Sequence, residues 1–398
     1  MDLFTWNWKK FLPLLLFPFL FLFEEWVSIP SCTFVPRSAV SNQGYDVVVG
    51  ENSEEDLRVM MVANLLLLGS ESGFFNQYFR DYYMSKFFRK SFHSLKPDML
   101  LILGDVSAKG FEMTKSKWGA MLHQFHNILG PFIDLPLHVV LGDRDVGECS
   151  KLDARSVQWI ARGFPGLDSA GCGAFGISNV SFVSLNAVAL LCGNNKLRFS
   201  VERAIETESI DVQLETEATS MDDYGNLGEV PLRWRANEVS YGSGPVLLLH
   251  FPLHKTAKDS CTEFEKAPSS FLHGSNALKN RGSVGSGPYD LLDTLPANAT
   301  EYIFQALKPR IIFSAHTHSF HDYNHPDGTR EITVPAMSWR VRDDPSFVLA
   351  TFHSNGKSVS VSYCSLARES HVLIVYICFV ILFLTISHVE NIPLRWLR

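Results

Sequence analysis

Arg310-Ile311-Ile312-Phe313-Ser314-Ala315-His316-Thr317-His318 is the stretch from which the rest of this 398-residue chain can be read. Ile311, Ile312 and Phe313 form a run too short for a helix and apolar enough for a buried strand. Ser314 and Ala315 open a turn. His316 and His318 then fall at the strand's C-terminal end, where open α/β sheets place their ligands. Imidazoles at i and i+2 of an extended segment project to the same side and suit one metal cluster. An isolated HxH is unspecific, so its weight depends on what the other strand ends carry.

They carry the same kinds of side chain. Met99–Leu103 closes on Gly104-Asp105, Leu137–Leu141 closes on Gly142-Asp143, and Val246–Leu249 ends at His250. An aspartate after a strand is commonly a turn former, and a histidine after three leucines commonly packs in a core. Gathered at the ends of four apolar strands, Asp105, Asp143, His250, His316 and His318 point instead to a shared site. Two carboxylates with three imidazoles suit Zn, Fe or Mn better than Ca or Mg. One carboxylate can bridge two ions, the arrangement that clamps both oxygens of a phosphate displacement.

Composition sets the bounds. The length allows one large domain or two ordinary ones. A chain that is 46% hydrophobic and 12% aromatic supplies a sizeable core, unlike a disordered chain. The net charge of −7, with no long basic run, argues against a nucleic-acid partner. The seven cysteines contain no CxxC pair, which argues against a zinc-thiolate site. Pairing among Cys149, Cys172, Cys192 and Cys261 stays open if the domain lies outside the cytosol.

Between its ends the chain alternates. Phe74–Leu95 and Ser116–Leu129 predict helices, the first amphipathic and stopped at Pro97. Arg58–Ala63 and Ile177–Leu185 predict strands, as do the runs Glu331–Val334, Phe347–Phe352 and Val359–Tyr363. Residues 200–228, acidic and without period, predict a surface insertion. Lys255–Leu291, rich in glycine and serine, predicts a long loop near the site. The β-α-β-α-β order, followed by strands with few helices, argues for an α/β domain of packed sheets covered by helices.

Both ends are apolar. Lys9 and Lys10 precede Phe11–Phe23, a run shorter than the roughly 20 residues that span a bilayer. It predicts a signal anchor or a signal peptide within residues 1–35. Val372–Ile386 carries no charge and has no later chain to cover it, so 370–388 predicts a transmembrane helix and 389–398 a short cytosolic tail. The short span suits a thin membrane such as the endoplasmic reticulum. Lys9 and Lys10 before the first run, with Arg395 and Arg398 after the second, place both tails in the cytosol and residues 46–365 in the lumen. The sequons at Asn179 and Asn298 are compatible with that side.

The succession LILGDVSAKG, VVLGDRDVG, LLLHFPLH and FSAHTH resembles the calcineurin-like metallophosphoesterases. Their blocks are a D-x-H, a GD-x-x-D-x-G, a GNH-D/E, a later H and a GHxH. With the flanking anchors and the HFPLH form, the chain is most similar to the metallophosphoesterase-1 branch. Its members act between endoplasmic reticulum and Golgi, removing an ethanolamine-phosphate side branch from glycosylphosphatidylinositol (GPI) anchors. The resemblance covers roughly residues 55–352 plus both anchors. It implies a metallophosphoesterase-type α/β/β/α sandwich with flanking membrane segments. It also implies a divalent cofactor, Mn with Zn or Fe as alternatives, and a GPI-type phosphoglycan or other phosphodiester substrate. Matched to the motifs, Asp105 is the bridging carboxylate, Asp143 stands at the Asn of GNH, His250 and His316 are ligands of the second metal, and His318 is a ligand of the first.

The departures fall on one side of that site. Asn64 and Leu66 stand where the first block has its Asp and His, and Ala108 replaces the later Asp of the second block. Arg144 takes the catalytic position of the third block's His. An arginine stays protonated and cannot act as a general acid near neutrality, yet it can hold a phosphate bidentately. Ligand count then favours one ion, at Asp105, Asp143, His250 and His316, over a pair. Two functions follow: a luminal metal-dependent phosphodiesterase, or a pseudoenzyme on the same fold that binds one metal and a phosphoglycan. His254 and His321 are the spare imidazoles near the motifs.

Overall fold

The apolar runs that end in acids and histidines become strands, most of them within a residue of the expected bounds. The computed structural model describes residues 8–36, 56–192, 196–222, 244–255, 294–353 and 358–391. Along the chain come α1 (Trp8–Val27), β1 (Ser31–Phe34), β2 (Leu57–Val62), α2 (Asp81–Leu95), β3 (Met99–Leu103), α3 (Lys115–Leu129) and β4 (Leu137–Val140). Next are α4 (Asp143–Val146), α5 (Ala154–Ala161), β5 (Gly173–Ile177), β6 (Val180–Ser184), α6 (Ala187–Leu191), α7 (Lys196–Asp222) and β7 (Val246–Leu248). The chain continues with α8 (Ala297–Leu307), β8 (Ile311–Ser314), β9 (His321–Asn324), β10 (Arg330–Thr333), β11 (Ser346–Phe352), β12 (Val359–Ser365) and α9 (Glu369–Asn391). The fold is mixed α/β with two sheets.

Two compact units divide the chain. The first comprises Met1–Leu100, Lys115–Leu137 and Ala336–Arg398. In it β1, β12, β11 and β2 pair in that order, antiparallel throughout. Tyr83, Met84, Phe87 and Phe88 of α2 and Trp118, Met121 and Phe125 of α3 are buried, at the three-and-four spacing that gives a helix one apolar stripe. Lys96, in the left-handed conformation at φ 47°, ends α2, and Pro97 follows. Cys32 of β1 faces Cys364 of β12 in register, and the two form a disulfide.

The second unit comprises Leu101–Thr114 and His138–Pro335. Its sheet runs β5-β6-β7-β8-β10-β9. The four middle strands are parallel and the two edges antiparallel. Parallel strands buried on both faces read as continuous apolar runs, which is why VLL of β7 and IIFS of β8 lack alternation. Leu248 lies opposite Phe313, so β7 and β8 end together and their following residues emerge side by side. β3 and β4 are hydrogen-bonded neighbours whose C-terminal ends run into this unit.

Several expectations are corrected. Residues 196–222 are helical, not an irregular insertion. Leu197, Val201 and Ile205 are buried at four-residue spacing, a stripe one residue wide that is easily lost among acidic neighbours. The single strand expected over Ile177–Leu185 is instead a hairpin of β5 and β6, turning on Ser178 and Asn179 at φ 48° and 61°. Strand β1 follows α1 within residues 1–35. Cys149 pairs with Cys192 and Cys172 is free and buried, while Cys261 and the loop over 256–293 lie outside the described residues.

Candidate metal centre

Each functional side chain stands just past a strand. β3 leads through Gly104, at φ +84°, to Asp105 at φ 49°. A Cβ at Gly104 would meet His250 Nδ1 at 2.2 Å, and one at Gly142 would meet Asp105 Oδ1 at 2.2 Å. Both glycines are therefore dictated by the close approach of site side chains to backbone. Asp143 opens α4 after β4, and His250 and His316 each follow the end of a parallel strand by two residues. His316 and His318 also hold positive φ, 63° and 64°. Such conformations cost non-glycine residues roughly 1–2 kcal/mol each and cluster where side chains must be aimed.

Three of the six expected residues, Asp143, His250 and His316, converge, and Asp105 stands beside them against His250. His250 Nε2 lies 3.1 Å from Asp143 Oδ1 and 3.6 Å from Asp105 Oδ1. His316 Nδ1 lies 3.3 Å from Asp143 Oδ1 and 3.4 Å from His250 Nε2. Donors about 2.1 Å from one tetrahedral ion stand roughly 3.4 Å apart, so this spacing fits a single ion. His250 Nδ1 donates to the Leu103 carbonyl at 2.8 Å, which fixes the tautomer and leaves Nε2 as the donor atom toward a metal. Two carboxylates would neutralise a divalent charge, and the mixed N/O set suits a transition ion.

The electrostatics reflect crowding. Burial raises the Asp105 carboxyl to about 8, against the lowering effect of His250. Burial would lower His250, but the charges of Asp105 and Asp143 and a hydrogen bond to Asp143 push it up to about 9. Burial also works to raise Asp143, and hydrogen bonds from His250 and His316 overcome it and hold the group well below the carboxylate range. Without a metal, then, protons do the work of a cation.

No protein-family model matches the chain. Among curated proteins it is similar to metallophosphoesterase 1 of Rattus norvegicus, 28% identical over 357 residues, covering 87% of this chain and 82% of the relative. Metallophosphoesterase 1 of Danio rerio is 28% identical over 344 residues, covering 85% and 83%. Over most of its length the chain is similar to metallophosphoesterase 1. Among solved structures it resembles a dimetal phosphatase from Danio rerio at 13% identity, with 74% of this chain and 92% of that one covered and a TM-score of 0.41. A purple acid phosphatase from yellow lupin gives 12% identity, 80% and 55% coverage, and a TM-score of 0.40.

The remaining expected residues are placed differently. Arg144 Nε lies 3.5 Å from Asp105 Oδ2, on the oxygen of that carboxylate other than the one nearest His250. His318 stands outside the convergent donors. Burial, then the charges of His316, His250 and Arg144, lower it to about 4, so its ring is neutral. His254 is exposed and donates its backbone N–H to Thr300 at 2.9 Å, and His321 lies in β9, where it pairs with Thr333. Asn64 and Leu66 belong to the first unit, where both are buried at φ 55° and 56°. Among the described residues the Asn64 amide has no hydrogen-bond partner on either atom.

Two buried acids brace the site, and neither is in the candidate set. Asp145 accepts from the backbone of Ser107 at 2.8 Å, Gly142 at 3.1 Å and Val106 at 3.2 Å, stitching the two Gly-Asp loops together. Glu331 accepts from Leu253 N–H at 3.2 Å, the Ser314 hydroxyl at 2.6 Å and His325 at 2.7 Å. It thereby ties the segment after His250 to the segment before His316. The one signal in the sequence was a glutamate at a core position of an alternating strand.

A pH dependence follows. Asp105 and His250 both titrate above their ordinary values in the metal-free fold. Each therefore contributes stability that is present below its unfolded pKa and is lost as pH rises through about 8 and about 9. The metal-free protein is expected to melt lower at pH 9 than at pH 6. A divalent ion replaces the departing protons, so the melting-temperature gain on adding Mn or Zn grows over the same window. A metal-induced gain that shrinks with rising pH counts against this donor set.

Proposed function

We propose that the chain is a membrane-anchored metallophosphoesterase that holds one divalent ion at Asp105, Asp143, His250 and His316, with Arg144 as a second positive charge beside it. The observation that carries this is the setting of Asp105: Oδ1 accepts the Arg144 backbone N–H at 3.0 Å and lies 3.6 Å from His250, and Oδ2 lies 3.5 Å from the Arg144 guanidinium. Here an arginine stands on the second oxygen, and its side chain, 31% exposed, remains open to a phosphate. A bound ion would supply Lewis-acid stabilisation of phosphoryl charge and acidify water. The chain's own part is to orient the phosphate through Arg144 and to hold the ligands in their neutral or ionised forms.

The substrate proposed from the resemblance is a phosphodiester of the GPI type, with the ethanolamine-phosphate side branch as the group removed and Mn as the metal, Zn or Fe as alternatives. Because Asn64, Leu66 and Arg144 replace a carboxylate, an imidazole and an acid, a second reading stands beside it: a pseudoenzyme that binds the phosphoglycan without turnover. Elemental analysis of the purified chain with hydrolysis of bis(p-nitrophenyl) phosphate separates them. One ion with slow hydrolysis supports the first reading and one ion with vanadate binding but no turnover the second. No ion at all overturns both.

The proposed setting is the luminal face of endoplasmic reticulum or Golgi membranes. The disulfides Cys32–Cys364 and Cys149–Cys192 support an oxidising compartment. Glu369–Ile386 of α9 is long and apolar enough to span a bilayer, and only 6% of that window is buried. Asn179, exposed at the hairpin tip, and Asn298, exposed in the first turn of α8, are the expected glycosylation sites. Glycosidase-sensitive mass at either site, with a C-terminal tag open to protease in intact microsomes, is the expected result. A protected tag overturns the topology.

A further inference from the structure

An aromatic face of the first unit stands beside the proposed membrane span with nothing described covering it. Phe74 is 79% exposed, Tyr78 63% and Tyr82 49%, along a π-helical turn, Asn76–Arg80, that feeds α2. Large rings exposed together are unusual on a protein surface washed by water.

The same segment is fastened to α9. Arg80 pairs with Glu369, the first residue of α9, through two contacts at 2.6 and 3.1 Å. Phe79 lies 6.3 Å from the Tyr376 ring and stacks on Trp339 at 5.4 Å, and the Tyr83 hydroxyl meets the Tyr376 hydroxyl at 3.1 Å. Tyr376 is seven residues into α9, about 10 Å along the helix from Glu369. The inner rings thus lock the segment against the first two turns of the span, while Phe74 and Tyr78, with ring centroids 4.6 Å apart, stay mostly exposed, and Tyr82 is half-exposed with its hydroxyl on Glu24. From the α1 side, Glu24 joins Tyr376, Tyr82 and Lys86, and Glu25 joins Lys86 and Lys90. Arg80, Lys86, Lys90, Glu24, Glu25 and Glu369 thus each have an opposite charge beside them. Trp26, 73% exposed, adds another ring near the end of α1.

Rings with a polar tip, at the depth where an apolar span begins, suit the boundary between lipid headgroups and acyl chains. We propose that Phe74, Tyr78 and Tyr82 dock on the bilayer that α9 crosses, their rings among the first acyl carbons. This rests on the anchoring read above for α9. The consequence is that the first unit is held against the lipid surface and cannot swing freely on its helices, which suits a substrate that is itself a lipid headgroup.

The test uses the full-length chain in phosphatidylcholine vesicles containing both a lipid spin-labelled near the headgroup and one spin-labelled deep in its acyl chain. An NBD fluorophore is placed on one cysteine at a time in a Cys261→Ser background. Native Cys378, exposed on α9, reports the span. Phe74→Cys and Tyr78→Cys, each with Cys378→Ser, report the face, and Ser94→Cys at the far end of α2 reports water. Cys172 is buried, with its thiol raised to about 12 by burial, and stays unlabelled. The expected result is quenching by either spin-labelled lipid at 378, 74 and 78 and by neither at 94. Quenching at 378 alone overturns the docking and leaves the anchor standing. No quenching at 378 removes the anchor and the docking with it.

Discussion

His250→Ala strips the protein of its divalent ion, Asp105→Ala does the same, and His318→Ala costs far less. His250 Nε2 lies within 3.6 Å of one oxygen on each carboxylate and of the His316 ring, so its loss removes the donor that the others surround. Losing only a supporting hydrogen bond to a metal ligand costs about 10–100-fold in affinity, and losing the ligand should exceed that range. The variant also leaves the Leu103 carbonyl without its donor and a cavity in a fully buried site. A drop in metal content could then reflect a loosened fold. Asp143→Asn controls for this, because it keeps the shape and removes only the charge, and it too is expected to weaken binding. Affinities are measured by titration calorimetry with Mn and Zn, with thermal unfolding of each metal-free variant alongside. If His318→Ala emptied the site while His250→Ala left it filled, the assignment of the surviving position would be reversed.

What could be read from the chain was the site's skeleton. Short apolar runs closing on Gly-Asp or on histidine gave the strand ends, because parallel strands buried on both faces leave no doubt about where the apolar run stops. Register follows from the same fact: β7 and β8 end level, so His250 and His316 meet. Less local features stayed hidden. β1 is four exposed residues whose partner lies 332 positions away, joined by pairing and a disulfide that composition cannot place. The stripe of α7 is one residue per turn. Asp145 and Glu331 act through backbone N–H groups and a hydroxyl, which leave no trace in a motif. That Arg144 would sit on Asp105, not out in solvent, depended on a side-chain direction that spacing does not encode. The sandwich packing of the two sheets stays an implication of the resemblance.

Asn64→Asp, Leu66→His and Arg144→His, made together, are expected to raise metal occupancy toward two ions and to raise turnover by ~10²–10⁴, the range typical of a positioned acid or base. The warrant lies in the backbone as much as in the motif. Asp105, His316 and His318 hold φ of 49°, 63° and 64°, and Asn64 and Leu66 hold 55° and 56°. A left-handed leucine is a genuine outlier, with nothing in its own side chain to offset the strain. The resemblance implies ligands on this loop, and here its strained backbone carries none. The fully buried amide of Asn64, unpaired among the described residues, sits in the same loop. Restoring an aspartate and an imidazole at buried positions without an ion should destabilise the fold, because a buried charge without a partner is costly. Added metal should then recover the loss, so the metal-induced rise in melting temperature is expected to be larger in the triple variant than in wild type. That readout separates a rebuilt site from a damaged core even if hydrolysis does not improve. Arg144→His alone should weaken phosphate and vanadate binding without adding an ion, since it removes the guanidinium and supplies no ligand for a second position. Two ions and fast hydrolysis in the wild-type chain would sink the one-ion reading. His254 and His321 would then be the first donors to replace with alanine.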